Sequence, residues 1–227
     1  MTTTKTDHRS GKKATGPADE AVVRALLHRQ RRTYAAQAGI RLRDTPAPLY
    51  QTLVLVVLLS ARIRADTAVA AARALFGAGM RDARSMADAT WQQRVDALGE
   101  GGYRRFDERT STILGDGAEL LLERYGGDLR RLREESDPRK ALLDIPGIGP
   151  TGVDIYLRAV QGVWPEFAPC FDSKAVDGAR RLGLPDSPRK LSRLVGADER
   201  TLLADGLVHV ALDQRLADEV LTEAGAS

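Results

Sequence analysis

Leu142-Leu143-Asp144-Ile145-Pro146-Gly147-Ile148-Gly149-Pro150-Thr151 joins two helical stretches through a turn that carries two glycines. Glycine lets the backbone pass through conformations that a Cβ forbids, and it leaves the amide groups uncovered. Gly147, Ile148, Gly149 and Thr151 therefore bring main-chain N–H groups to the start of the helix that opens at Pro150. Unpaired N–H groups and the helix dipole favour an anion there, and a phosphodiester is the anion that fits. Ile145 and Ile148 would pack the turn against its two helices, so the loop is ordered before anything binds. A plain inter-helix turn, with glycines that only reverse the chain, is the other reading of the same residues.

Outward from the hairpin, the helix beginning at Pro150 is closed by Gly162, and an extended connection with Pro165 and Pro169 leads to Phe171-Asp172-Ser173-Lys174. Asp172, 21 residues beyond Thr151, heads the next helix, which Gly183 and Pro185 end. A carboxylate fixed in that place can stabilise positive charge on a sugar or help a water attack it. It is equally a natural cap for its own helix.

Upstream, Pro46 and Pro48 precede an apolar helix from Leu49 to about Ile63 that reads as a buried central element. Asp66 is expected to cap a helix from Thr67 to Phe76. Shorter helices at Ser85–Ala89 and Thr90–Leu98 lead to a turn at Gly99, Gly101 and Gly102. A long helix from about Tyr103 to Tyr125 follows, interrupted at Gly115 and Gly117. Asp137-Pro138 is a cap followed by a first-turn proline. The chain opens with a helix from about Ala18 to Ala38 and closes with one segment, capped by Asp198, that reaches about Glu223. Strand patterns are nearly absent, and the fold class is all-α.

The 227 residues suffice for a real core, and 43% are apolar. The longest apolar run, Leu53 to Leu59, is too short for a bilayer span of roughly 20 residues. With no leader pattern either, a cytoplasmic location and no membrane partner are expected. One cysteine, Cys170, excludes an internal disulfide and a multi-thiolate metal site, and the three histidines His8, His28 and His209 are far apart. No transition metal is expected. Lys5, Arg9, Lys12 and Lys13 against Asp7 account for the whole-chain excess of +3, so the rest of the chain is neutral. That basic segment, up to about residue 18, reads as a disordered tail. Any DNA affinity must then come from local patches and backbone amides.

With these residues in place, the chain resembles the helix-hairpin-helix, Gly/Pro-rich loop, aspartate superfamily of DNA glycosylases, of which endonuclease III is the best-known member. The resemblance runs from about Pro48 to Leu184. It is carried by Leu58-Leu59-Ser60-Ala61, Gly101-Gly102-Tyr103, Ile145 to Gly149, and Asp172. It implies a two-lobed helical domain over residues 19–227, one lobe at about 45–140 and the other at about 19–44 plus 141–227. Double-stranded DNA would lie across the cleft of a monomer, with a base flipped into it. Asp172 becomes the catalytic carboxylate, and Gly147, Ile148, Gly149 and Thr151 grip the backbone. Arg62, Tyr103, Arg104 and Lys174 are the remaining DNA-binding candidates, Arg62 or Tyr103 as the plug for the vacated stack.

Departures from the family pattern refine what is implied. Members that also cut the strand carry a Schiff-base lysine where this chain has Thr151, which leaves a monofunctional, water-using glycosylase of base excision repair. Lys174 could supply an amine, or be a surface lysine. The iron–sulfur loop needs four cysteines that this chain lacks, so no cofactor is expected beyond a monovalent cation at the hairpin. The glutamate of adenine-removing relatives has no counterpart before Asp66, and Gly102 stands where relatives place a bulky wedge. A non-catalytic DNA-binding module that kept the hairpin is the alternative, and a helical protein of unrelated role is a third.

Overall fold

The computed structural model describes residues 17–225, and the basic tail expected before residue 18 lies almost entirely outside them. No strand occurs among the described residues, and the all-α expectation holds. Thirteen α-helices follow in order among the described residues: α1 Pro17–Arg29, α2 Tyr34–Gln37, α3 Pro46–Leu59, α4 Ala65–Gly77, α5 Ala83–Asp88, α6 Trp91–Glu100, α7 Asp107–Tyr125, α8 Pro138–Leu143, α9 Pro150–Val160, α10 Ser173–Arg181, α11 Pro188–Leu191, α12 Arg200–Leu212 and α13 Gln214–Gly225. Short 3₁₀ segments at Leu129–Glu134 and Pro165–Phe167 complete the list.

Helix α3 organises the rest. Pro46 opens it where a missing N–H costs nothing, and nine of its residues between Leu49 and Leu58 are buried. Each fully buried Leu or Val there contributes about 1.5–3 kcal/mol. Thr52 sits in that apolar setting because its hydroxyl donates to the Pro48 carbonyl at 2.8 Å. On one side α3 packs on α4, which meets α6, and α7 packs on α5 and α6; on the other it packs on α9, which leads to α12, with α1, α10 and α13 around it. One contiguous apolar core runs through both groups.

Several expected boundaries move, each for a local reason. The opening helix stops at Arg29 instead of continuing to Ala38, because the buried Asp205 carboxylate draws the Tyr34 amide to 2.9 Å and Thr33 recaps the chain at the Ala36 amide. Helix α3 ends at Leu59 and not Ile63. Helix α4 starts at Ala65, so Asp66 lies in its first turn rather than capping it. The long helix begins at Asp107, after Tyr103 has turned into the core, and neither Gly115 nor Gly117 breaks it. A Cβ on Gly115 would lie 2.7 Å from the buried Arg94 guanidinium, which donates to the Met86 and Ala89 carbonyls. The closing segment is two helices. Asp213 interrupts it and accepts from the Arg215 amide at 2.9 Å, and Asp198 is not the cap, since Glu199 precedes the first residue of α12.

Candidate nucleic-acid interface and catalytic cleft

The hairpin between α8 and α9 is closed by the Ile148 amide donating to the Ile145 carbonyl at 3.0 Å. Ile145 and Ile148 are buried on its inner side, while Gly147 and Gly149 are exposed. Gly147 adopts φ +82°, and a Cβ there would come within 2.5 Å of Ile113. Gly149 is different: it is extended, with open space where its Cβ would project. It caps α9 without a side chain. Among the described residues no protein acceptor meets the Gly149 or Thr151 amide, so both can receive an anion from outside.

Beside the hairpin lies a cavity of about 480 Å³, lined mainly by Leu59, Ile63, Ile155 and Val208, with Thr151, Asp154, Asp172 and Lys174 as polar contributors. A second cavity of about 310 Å³ adjoins it, reaching Tyr103, Phe106, Ile113 and Gly147. Ala61 and Arg62, in the bend between α3 and α4, line both. Arg62 is exposed and stands between the two spaces.

Asp172 is the residue before α10, and its Oδ1 accepts from the Ala175 amide at 2.9 Å. Its other oxygen is bonded to the guanidinium of Arg158, a residue on the same face of α9 as Thr151 and Ile155. Arg158 also donates from Nε to Asp205 at 3.0 Å, and Asp205 holds the Tyr34 amide. The three charged side chains are 4%, 7% and 3% exposed for Arg158, Asp172 and Asp205. Burial works against the arginine's charge, yet the facing Asp205 and Asp172 carboxylates outweigh it and hold its pKa above the ordinary value. Two carboxylates thus share one guanidinium, Asp172 in the wall of the cavity and Asp205 behind it. Behind them the His209 ring stacks on Tyr34 with centroids 4.5 Å apart, and burial pulls the imidazole pKa below its usual value.

The expected site residues separate by position. Asp172, Thr151, Lys174 and Arg62 share the larger cavity, and Gly147, Arg62 and Tyr103 share the smaller. Tyr103 is corrected as a plug: it is 2% exposed and cannot reach a DNA stack without leaving the core. Its hydroxyl receives a hydrogen bond from Thr110 at 3.4 Å. Ile148 packs in the core as expected, but its amide is spent on the Ile145 carbonyl and is corrected as a backbone contact for DNA. Arg104 is exposed in the turn before α7 but lines neither cavity. Lys174 is 59% exposed at the rim, 3.9 Å from Asp177. Among the described residues no group of three or more His, Cys, Asp or Glu side chains could hold a metal ion, and no helix is long and apolar enough to cross a membrane.

Arg158, Asp205 and Tyr34 were not singled out from sequence. The spacing of Thr151, Ile155 and Arg158 is that of one helical face, and a charge at Asp205 inside Leu203-Ala204-Asp205-Gly206-Leu207-Val208 is costly unless paired. Those two signals could have joined them.

No family model and no curated protein sequence matches the chain. Among solved structures it is similar to a non-covalent endonuclease III–DNA complex at 16% identity, covering 82% of this chain and 80% of that one with a TM-score of 0.51. A trapped endonuclease III–DNA covalent intermediate, an estranged-adenine complex, matches at 17% identity over 83% and 84% with a TM-score of 0.46. The first of these likenesses establishes an endonuclease III-like helix-hairpin-helix fold.

Proposed function

We propose that this chain is a monofunctional DNA N-glycosylase that hydrolyses the bond between deoxyribose and a damaged or mismatched base. The observation that carries the reading is the buried Asp172–Arg158–Asp205 cluster, which fixes the Asp172 carboxylate in the wall of a cavity flanked by free hairpin amides. Cleavage of an N-glycosidic bond builds positive charge on the sugar, and a fixed negative environment of low dielectric stabilises that charge without reorganising. Asp172 is already bonded to Arg158 and to the Ala175 amide, so its part is electrostatic more than proton-abstracting. A solved structure of similar fold is a non-covalent endonuclease III–DNA complex, which supports DNA as the partner.

The Gly149 and Thr151 amides take a phosphate, and such contacts fix register without reading bases. Arg62, between the two cavities, is the side chain best placed to fill the gap left by a flipped nucleotide, whose extrusion costs a few kcal/mol. Thr151 offers no amine, and Lys174 at the rim is solvated, so strand cleavage through a Schiff base is not part of the proposal. Nor is a cluster, because one cysteine cannot ligate it. The protein would act as a monomer in the cytoplasm.

Single-turnover excision on a panel of duplexes, each carrying one lesion or mismatch, tests this directly. Asp172→Asn is expected to lose roughly 10² to 10³ in rate on the responsive duplex while binding is retained. Undiminished excision by that variant, or no excision of any base by the unaltered protein, would remove the enzymatic reading.

A further inference from the structure

The folded part of the chain is electrically neutral, yet one stretch of its surface is not. Along the outer face of α4, two shallow cavities of about 390 and 440 Å³ share Arg73, which lines both. The first adds Arg32, and the second adds Arg41 and Arg81. All four arginines are exposed, and among the described residues none pairs with a carboxylate. Arg29, Arg124, Arg130, Arg133 and Arg139 each hold an acid at 2.6–3.1 Å, whereas the four on this face lie together along two adjoining hollows with no acid among the described residues bound to any of them. Asp66, which lines the first of these cavities, is engaged by Arg64 at 3.1 Å. Arg81 is held by its Nε bond to the Phe76 carbonyl at 2.7 Å, which fixes the side chain while leaving its Nη groups without a carboxylate. A guanidinium so placed presents donors to a phosphate's oxygens at little further entropic cost.

The track is continuous with the candidate interface. Ala65 lines the larger cleft, Asp66 and Ala70 line the first basic cavity, and Arg73 carries the line to the second. At 1.5 Å per residue the 13 residues of α4 cover about 20 Å. Duplex DNA carries one charge per about 1.7 Å of axis, so a stretch of that length presents several phosphates.

We infer that Arg32, Arg41, Arg73 and Arg81 form a second DNA-backbone contact, separate from the hairpin, that holds the duplex flanking the site of base removal. The inference rests on the DNA-binding half of the function proposed above and adds a surface to it. Regular phosphate spacing suits a row of unpaired guanidiniums better than an acidic protein segment does.

The test uses the full chain and two duplexes, one of about 12 base pairs centred on the hairpin contact and one of about 30. The combined Arg41→Gln, Arg73→Gln and Arg81→Gln variant is compared with Gly149→Ala, with circular dichroism confirming that both are folded. For the unaltered protein the 30-mer is expected to bind more tightly than the 12-mer. The arginine variant should lose that advantage, with a log–log salt slope shallower by about 0.9 per lost contact, and should keep unchanged excision and binding on the 12-mer. Gly149→Ala should weaken both duplexes alike. If the arginine variant binds the 30-mer with unchanged affinity and slope, or weakens equally on both lengths, the second contact does not exist. Unchanged binding by Gly149→Ala beside a clear arginine effect would sink the hairpin contact and leave this one standing, and failure of the unaltered protein to bind either duplex would sink both.

Discussion

Arg158 is the residue on which the cleft depends, because it alone separates two buried carboxylates. Replacing it with Met fills similar space but leaves Asp172 and Asp205 facing each other without a counter-charge. Breaking a buried pair by removing one partner costs about 3–5 kcal/mol, and a urea melt at neutral pH should show a loss of that size. Arg158→Lys should recover only part of it, since an ammonium is a point charge that cannot serve both acids with a planar fork. A Met variant as stable as the parent would mean the cluster is not held by charge. His209 gives a second outcome at the same scale. Its folded pKa is depressed, first by burial, while Asp205 and Asp66 pull the other way, and its Nε2 is buried with no partner. The unfolded chain therefore takes up the proton first as pH falls through about 6.5, and stability from this group declines from there until the folded pKa is reached. His209→Phe keeps the ring stacked on Tyr34 and removes the titration. Thermal melts between pH 7 and 5 should fall less steeply for it, and parallel profiles would exclude His209 as a contributor.

Elements explain why part of this was legible in sequence and part was not. The hairpin could be read because its chemistry is local: Pro146, two glycines and Pro150 dictate the turn whatever surrounds it. Gly147 and Gly149 nonetheless do different jobs. Gly147→Ala meets both a positive φ and Ile113, and should lower the melting temperature as well as DNA affinity, whereas Gly149→Ala projects into open space and should lower affinity alone. Equal melting temperatures for the two variants would contradict that division. The break between α1 and α2, by contrast, is imposed by Asp205 from 171 residues away, and periodicity along Ala18–Ala38 cannot register a long-range hydrogen bond. Tyr103 was misplaced for a similar reason, since a tyrosine after two glycines looks exposed until the core that takes it is assembled. The α10–α12 contact is another element-scale fact hidden from sequence. A Cβ on Gly178 would fall 1.8 Å from the Leu207 carbonyl oxygen, so that glycine sets how closely the helix headed by Asp172 approaches the helix carrying Asp205.

At the scale of the molecule, α3 lies between the α4–α7 group and the α9–α13 group, and it is buried on both sides. Cooperativity follows from that position. If the apolar surface of α3 is shared, neither group can unfold without exposing residues that the other needs, and the two should melt together. The tryptophans allow the idea to be checked, since they sit in different groups. Trp91 begins α6 and is 41% exposed, while Trp164 is fully buried near α9, with its Nε1 donating to Asp44 at 2.9 Å. In a Trp91→Phe protein the remaining fluorescence reports the α9 side, and far-UV circular dichroism reports every helix. Urea midpoints from the two signals should coincide, and Leu58→Ala, which opens a cavity at a residue with no exposure, should shift both together by about 2–5 kcal/mol. Separate midpoints, or a Leu58→Ala shift in one signal only, would mean that the cleft joins two independently stable bodies, and the buried charges at its floor would then lie at a movable boundary instead of inside a fixed frame.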